Sequence, residues 1–391
     1  MASPVAKIYN GASGTVMKGG RYKIAPFDSV SVALEGSGTP GATASKILIL
    51  QLHGSGGQNT STGRQYDAIV SNDLAVGTYN TFRFSLVNST DTSIVLLRPV
   101  DQYGLNVTNS ARRESMWMGF KNTPNYGSDV ALVTQRRLES LMKWASTNVP
   151  CLPNKTCLTG GSMGGWGTMT FGIRRKHLFA AIYPDRPRWR YSTIGNVAVA
   201  NWLGALETVP VANSPFLSPE DGGGKVSVLQ DCIAYVSNTS NKIPWLGWCC
   251  GRQDGFVVFQ ENIDAVNALR TAKRGFAFAW NNGDHSTGSI MAEITGSYPY
   301  GTFTIGKGYP LFTEHSGDQD PNVDLVGGIN IGLSFRNVVE TSSGWSCEVT
   351  SKLGSRTVMV EPISDVFLAT VTPQLVTIPS ANTWVSASFT V

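Results

Sequence analysis

The stretch LTGGSMGGWGTMTFG, residues 158–172, sets six glycines around one serine, Ser162. Glycine has the most backbone freedom to lose and is unfavourable inside helices and strands. Here it follows a short apolar run, KTCLTGG, that reads as a strand, and it leads into GTMTFGIRRKHLF, which suits a helix. Gly160-Gly161-Ser162-Met163-Gly164 fits G-x-S-x-G in a strand–turn–helix context. Glycines two before and two after the serine let strand and helix pass close together through a strained turn. The hydroxyl is then pushed out at the C-terminal edge of a sheet. A glycine-rich turn after a strand is the bland alternative; as a phosphate-binding loop it would need a Gly-Lys-Ser/Thr that is absent here.

The flanking sequence supplies the sheet. KILILQLHGSGG (46–57) reads as a buried strand running into a glycine-rich loop, and TFRFSLVN (81–88) and SIVLLRPV (93–100) read as further strands. Residues 129–147 read as a helix, with Val130, Val133, Leu138, Leu141, Met142 and Ala145 at helical spacing and Ser128 or Asp129 as cap. AAIYP and IPWLGWCCG read as strands, 257–274 as a helix, and GFAFAWNNGDHS (275–286) as a strand ending in a polar loop. Strands alternating with helices predict an α/β fold, a mostly parallel sheet with helices on both faces. Residues 188–241, rich in Asn, Ser, Gly and Pro, read as an insertion. After residue 310 the helices stop. GGINIGLSF, GWSCEVTS, SRTVMVEPI, DVFLATVTP, QLVTIP and TWVSASFTV predict a small antiparallel β-sandwich. The expected division is therefore 1–312 and 313–391, with HSGDQDPN (315–322) as linker.

Composition narrows the function. Apolar residues make up 41% of the 391 residues and charged residues 15%, too apolar for disorder. The formal charge is only +4, and Lys and Arg are scattered. No polybasic or aromatic–basic stretch suggests a nucleic-acid partner. No apolar window is long enough to span a membrane. The N-terminus MASPVAKIYNGASG lacks the basic head and apolar run of a signal peptide. Low charge with many Gly, Ser, Thr and Asn nonetheless resembles extracellular or virion-exposed proteins. Cys151 and Cys157 are close enough in sequence to close a small disulfide loop, but buried apolar thiols are the favoured reading of all six cysteines. DQDPNVD (318–324) spaces acids like half a calcium loop, without the glycine and distal glutamate, and reads as a polar linker; no metal is expected.

A serine hydroxyl needs a base to become a nucleophile. There are four histidines. His177 follows RRK at an expected helix end and reads as structural. His315 lies in the linker, and His53 sits in the glycine loop HGSGG, where it is expected to brace the loop. His285 ends the last α/β strand. In strand–helix sheets of this kind the base comes last and the acid precedes it, so His285 is the expected base and Asp254, in WCCGRQDGF, the acid that orients it. Asp284 adjoins His285 and should point elsewhere; Asp231 is a weaker rival. The developing oxyanion needs preorganised donors. The N–H of Met163 is one. The second is expected from HGSGG, with Ser55 first and Gly56 next.

LHGSGG, GGSMGGWGTMTFGIRRKHLFAAIYP, GRQDGFV and GDHSTG occur in this order. Together they resemble the α/β-hydrolase superfamily over roughly residues 46–290. The stretch around Ser162 is similar to the branch of feruloyl and acetyl esterases, polyhydroxyalkanoate depolymerases and esterase D. The resemblance implies carboxylic-ester hydrolysis through an acyl-serine intermediate, without a cofactor. It departs from the branch at Gly161 and in the insertion.

Trp166, Arg188, Trp189 and Trp280 fall on or near the catalytic edge and are the candidate substrate contacts. Trp202, Trp245 and Trp248 share that region. Indole faces stack on sugars or aromatic acyl groups, and the arginines of DRPRWRYS could grip an anion; core packing and local salt bridges are the alternatives. The expected substrate is an acyl-decorated carbohydrate, a polyester or a small ester. A serine peptidase on the same fold and a structural or adhesion protein with a vestigial site stay open.

Overall fold

The computed structural model describes residues 16–24, 27–35, 46–54, 64–70, 81–88, 94–99, 117, 120–121, 130–131, 133–148, 151–190 and 226–391. They belong to two compact units, 1–153 with 158–174 and 190–231, and 154–157 with 175–189 and 232–391.

The first unit carries strands β1 (Val16–Ile24), β2 (Phe27–Glu35), β3 (Ile47–Leu52), β4 (Arg64–Val70), β5 (Thr81–Asn88) and β6 (Ile94–Pro99). A two-residue hairpin follows, β7 (Phe120–Lys121) with β8 (Val130–Ala131), then α1 (Val133–Asn148), β9 (Cys157–Gly161), α2 (Met163–Gly172) and later α3 (Val226–Gln230). The strands lie in the order β1-β2-β4-β5-β6-β3-β9. Neighbours pair antiparallel from β1 to β6, and β6 pairs parallel with β3. Leu48, Ile49, Leu50 and Leu52 of β3 are all buried, as expected of a strand covered on both faces. On α1, Leu138, Leu141, Met142 and Ala145 are buried at helical spacing. The helix begins at Val133 rather than 129, because Val130 and Ala131 are taken into β8. Every residue of α2 is buried. It too is shorter than expected: its last residue is Gly172, and the RRKH segment turns away instead.

The second unit carries β10 (Ala181–Asp185), α4 (Cys232–Ser237), β11 (Trp245–Gly251), α5 (Phe259–Thr271), β12 (Phe276–Asn281) and α6 (Met291–Ser297). Strands β10, β11 and β12 are parallel neighbours, and α5 is the crossover between the last two. All seven residues of β11 are buried. This is the α/β architecture read from the sequence. The chain continues as β13 (Tyr309–Thr313), β14 (Gly327–Ile329), β15 (Leu333–Glu340), β16 (Gly344–Ser351), β17 (Arg356–Ile363), β18 (Gln374–Ile378) and β19 (Val385–Thr390). These form two small antiparallel sheets, β13-β17-β18 and β15-β16-β19, while β14 edges β12 antiparallel. The strands interleave about residue 312: β13, which spans it, pairs with β17, and β14, after it, pairs with β12. DVFLATVTP, expected as a strand, forms none, because the Ser364 hydroxyl accepts from the N–H groups of Val366 and Phe367 and turns the chain. GGINIGLSF is split between β14 and β15 at Asn330, which has φ 59°. Val358, Val360, Val376 and Ile378 on one sheet, and Trp345, Cys347, Val349 and Ala387 on the other, are buried. His315 is buried rather than in an open linker, with its ring bonded to Asp318 at 2.9 Å. Asp320 and Asp324 are spent on local turn hydrogen bonds. All six cysteines are free thiols and buried, so Cys151 and Cys157 form no disulfide.

Three of the proposed substrate contacts are core residues in the second unit. Arg188 meets Glu261 with two bonds, 2.7 and 3.2 Å, and donates to the carbonyl of Phe256 at 2.8 Å. The same carboxylate accepts from the N–H of Trp189 at 3.0 Å. Asn262 Oδ1 accepts from the indoles of both Trp189 and Trp248. Trp280 donates to the carbonyl of Asp324 and stacks on Phe278. Trp189 and Trp280 have no exposed surface, and Arg188 has 7%. They hold the start of α5 and the sheet together and offer no face to a substrate; the expectation that they bind one is corrected.

Removing one partner of a buried pair leaves the other charge uncompensated. Arg188→Ala is expected to lower unfolding stability by about 3–5 kcal/mol in urea titration, and the double change Arg188→Met with Glu261→Leu to recover most of it.

Candidate active site

Ser162 sits between β9 and α2 with φ 55° and ψ −119°. A left-handed conformation in a residue other than glycine costs on the order of 1–3 kcal/mol and persists only where the surroundings fix it. Those surroundings are visible. A Cβ on Gly164 would lie 2.3 Å from the carbonyl oxygen of Leu52 and 2.7 Å from that of His53. The first turn of α2 is thus pressed against the end of β3, which only a glycine permits. The first bond of the helix runs from Trp166 N–H to Ser162 O at 2.9 Å. The N–H groups of Met163, Gly164 and Gly165 therefore have no acceptor within the helix. That is the setting expected of the Met163 donor. Trp166, 4% exposed, gives its indole N–H to Gln230 at 2.6 Å, so it too is packed rather than open.

The loop after β3 begins beside the serine. A Cβ on Gly54 would stand 3.3 Å from Gly161 O and 3.7 Å from Ser162 Cβ. His53 donates through Nδ1 to the carbonyl of Gly54 at 2.8 Å and meets Trp117 edge-on, and Trp117 donates to the carbonyl of His53. His53 braces this loop, as its position suggested. Ser55 and Gly56, expected to carry the second oxyanion donor, lie outside the described residues, as does Trp202.

In the second unit, the parallel register brings Gly251 at the end of β11 level with Asn281 at the end of β12. Asp254 and His285 follow on the two adjacent loops. The loops are laced by Arg252 N–H to Asn281 O (2.8 Å) and Gln253 N–H to Gly283 O (3.0 Å). Gly251 makes this approach possible: a Cβ there would be 2.2 Å from Gly283 O. His285 Nδ1 and Asp254 Oδ2 are 2.7 Å apart. Asp254 Oδ1 accepts from the N–H groups of Phe256 (2.8 Å) and Val257 (2.9 Å), so both oxygens are engaged and its side chain has no exposed surface. Burial pushes the Asp254 carboxyl pKa up, but the bonds from His285, Phe256 and Val257 outweigh it and the net shift is downward. An ionised carboxylate at Nδ1 holds the proton there and leaves the Nε2 lone pair outward. The imidazole is one quarter exposed.

The rival acids are occupied elsewhere. Asp284 Oδ1 accepts from the backbone and hydroxyl groups of Ser286 and Thr287, which push its carboxyl down to about 2. Asp231 belongs to the first unit and lies 3.6 Å from Arg190.

Two residues near His285 escaped the sequence reading. Arg186, at φ 51°, reaches through Nη1 to the carbonyl of His285 and through Nη2 to that of Thr287 at 2.5 Å, while its own N–H is held by Cys249 O. Its only signal was membership of the arginine-rich DRPRWRYS. Phe256 is 68% exposed with its ring 4.9 Å from the imidazole, an apolar surface beside His285. Among the described residues no cluster of three or more His, Cys, Asp or Glu could hold a metal, and no helix is long and apolar enough to cross a membrane.

No family model matches the chain, and no curated protein matches it. Solved structures do. The fluorophosphonate-binding serine hydrolase F of Staphylococcus aureus is 15% identical, with 70% of this chain and 93% of that one covered and a TM-score of 0.38. An S-formylglutathione hydrolase from Agrobacterium tumefaciens is 14% identical over 72% and 91%, with a TM-score of 0.43. The dipeptidyl peptidase 4 of Porphyromonas gingivalis is 14% identical over 69% of this chain and 32% of its own, with a TM-score of 0.42.

Because folding depresses the Asp254 pKa below its ordinary 3.8, its stabilising contribution is whole above that value and is lost as pH falls through the folded one. Asp254→Asn is therefore expected to flatten the loss of stability as pH falls below about 4 in denaturant titrations, relative to wild type.

Proposed function

We propose that the protein is a serine carboxylic-ester hydrolase in which Ser162 is the nucleophile, His285 the general base and acid, and Asp254 the residue that orients His285. The observation that carries the reading is the 2.7 Å bond between His285 Nδ1 and a buried, doubly hydrogen-bonded Asp254. The strained, glycine-flanked turn at Ser162 supports it, as does the α/β-hydrolase-like order serine, aspartate, histidine along the chain.

Ser162 Oγ attacks the ester carbonyl carbon while His285 Nε2 takes the hydroxyl proton. The negative charge passing to the carbonyl oxygen is met by the N–H of Met163 and by a donor from Ser55 or Gly56. As the tetrahedral intermediate collapses, His285 gives its proton to the departing alkoxide and an acyl-serine remains. Water then attacks that carbonyl, losing its proton to His285, and the acid departs as Ser162 recovers its proton. Asp254 stabilises the imidazolium formed at each stage and stays ionised. Phe256 gives the site an apolar contact for the acyl or alcohol group. No cofactor is required by these steps.

Ser162→Ala is expected to lower kcat/KM for p-nitrophenyl acetate by about 10³-fold or more and to abolish covalent labelling by a fluorophosphonate. Labelling that persists in this variant, or fails in wild type, overturns the assignment. Arg186→Ala, which frees the two carbonyls that fix the His285 loop, is expected to lower kcat about tenfold or more with little change in KM. Parallel assays on ester and peptide substrates separate an esterase from a peptidase.

A further inference from the structure

We propose that the second unit carries a separate anion-binding cleft that takes a carboxylate or phosphate borne on a sugar. Lys176, Lys242, Lys273, Arg274 and Lys307 line a cleft of about 270 Å³, and Asp365 is the one carboxylate lining it. The cations come from four stretches of chain: the turn after α2, the approach to β11, the end of α5 and the approach to β13. They were invisible as a group in a sequence whose basic residues are scattered.

The acceptors at hand do not match the donors. Lys176 and Lys242 share the Asp365 carboxylate, the latter at 3.0 Å. Lys273 binds Glu361 at 2.7 Å. Lys307 stands 4.0 Å from Glu340, whose oxygens already accept from the N–H of Gly308 and the hydroxyl of Ser364. Arg274 gives Nη2 to the carbonyl of Asn238 at 2.8 Å, while its Nε is buried without a hydrogen-bond partner. Each ammonium has three N–H donors, and those of Lys242, Lys273 and Lys307 belong to side chains 62–67% exposed. Gathering like charges costs repulsion that a bound anion relieves, and the exposed ammoniums of Lys242, Lys273 and Lys307 are the groups that would grip it.

The rest of the lining sets the ligand's character. Pro362, Ile363, Phe367 and Leu368 add an apolar wall, with Leu368 75% exposed. A cleft with this volume lies just below the usual range of ligand sites, about 300–1,000 Å³. It suits one sugar ring, its C–H face on the apolar wall and its anionic group among the ammoniums. This inference does not depend on the role given to Ser162.

The test titrates the full chain at low salt with tetragalacturonate, glucose 6-phosphate, inorganic phosphate and neutral maltotetraose, by calorimetry. Either or both of the two anionic sugars should bind, and maltotetraose should not. The answer distinguishes a carboxylate from a phosphate source. Lys242→Gln with Lys307→Gln, both on exposed side chains, should weaken binding about tenfold or more. The unfolding midpoint and the hydrolysis of p-nitrophenyl acetate should be unchanged. No binding of either anionic sugar, equal affinity in the double variant, equal binding of maltotetraose, inorganic phosphate binding as tightly as the anionic sugar that binds, or displacement of that sugar by a single-stranded oligonucleotide would each overturn the proposal.

Discussion

A carboxylate with no exposed surface is the constraint around which the second unit is arranged. Taking the Asp254 charge out of water is costly, and its two oxygens must be satisfied for the loop to hold. Two backbone N–H groups from the loop before the next helix and one imidazole do so. Each of those donors has to be delivered by something else. Arg188, itself fixed by Glu261, holds the carbonyl of Phe256; Arg186 holds the carbonyl of His285. Two arginines from one short segment after β10 therefore brace the acid loop and the histidine loop at once. The bare α-carbon of Gly251 lets those loops come together.

The first unit meets a different demand, that of holding a serine in a backbone conformation it resists. The answer there is close contact rather than charge. Helix α2 is buried on every side and its first turn rests on the carbonyls that end β3. The strain at Ser162 is thus offset by packing that would be lost if the turn relaxed.

What the sequence revealed follows from how local each signal is. The strained turn at Ser162 was legible because its glycines serve contacts made within a few residues of it or with one preceding strand. The pairing of Asp254 with His285 was legible because the two were read on the loops after successive strands. The indoles were misjudged for the opposite reason. Trp189 and Trp280 do lie by the ends of strands, but β11 and β12 are buried on both faces, so nothing in the period of the pattern marks which aromatic is open. Arg188 looked free because its counter-charge, Glu261, is 73 residues away. The 365–373 run is rich in β-branched and apolar residues like a strand, and one serine hydroxyl before it redirects the chain.

The six cysteines have a practical consequence. Burial pushes the thiols of Cys157 and Cys347 up to about 12, and those of Cys249 and Cys250 well above the ordinary range. Thiolate is the species that alkylating reagents capture, so these four buried thiols are poor targets for them in the native fold. Each sulfur becomes reactive only when the segment around it opens. The chain therefore contains its own set of local gauges, spread from residue 151 to residue 347, whose rates of modification would report how often each region breathes.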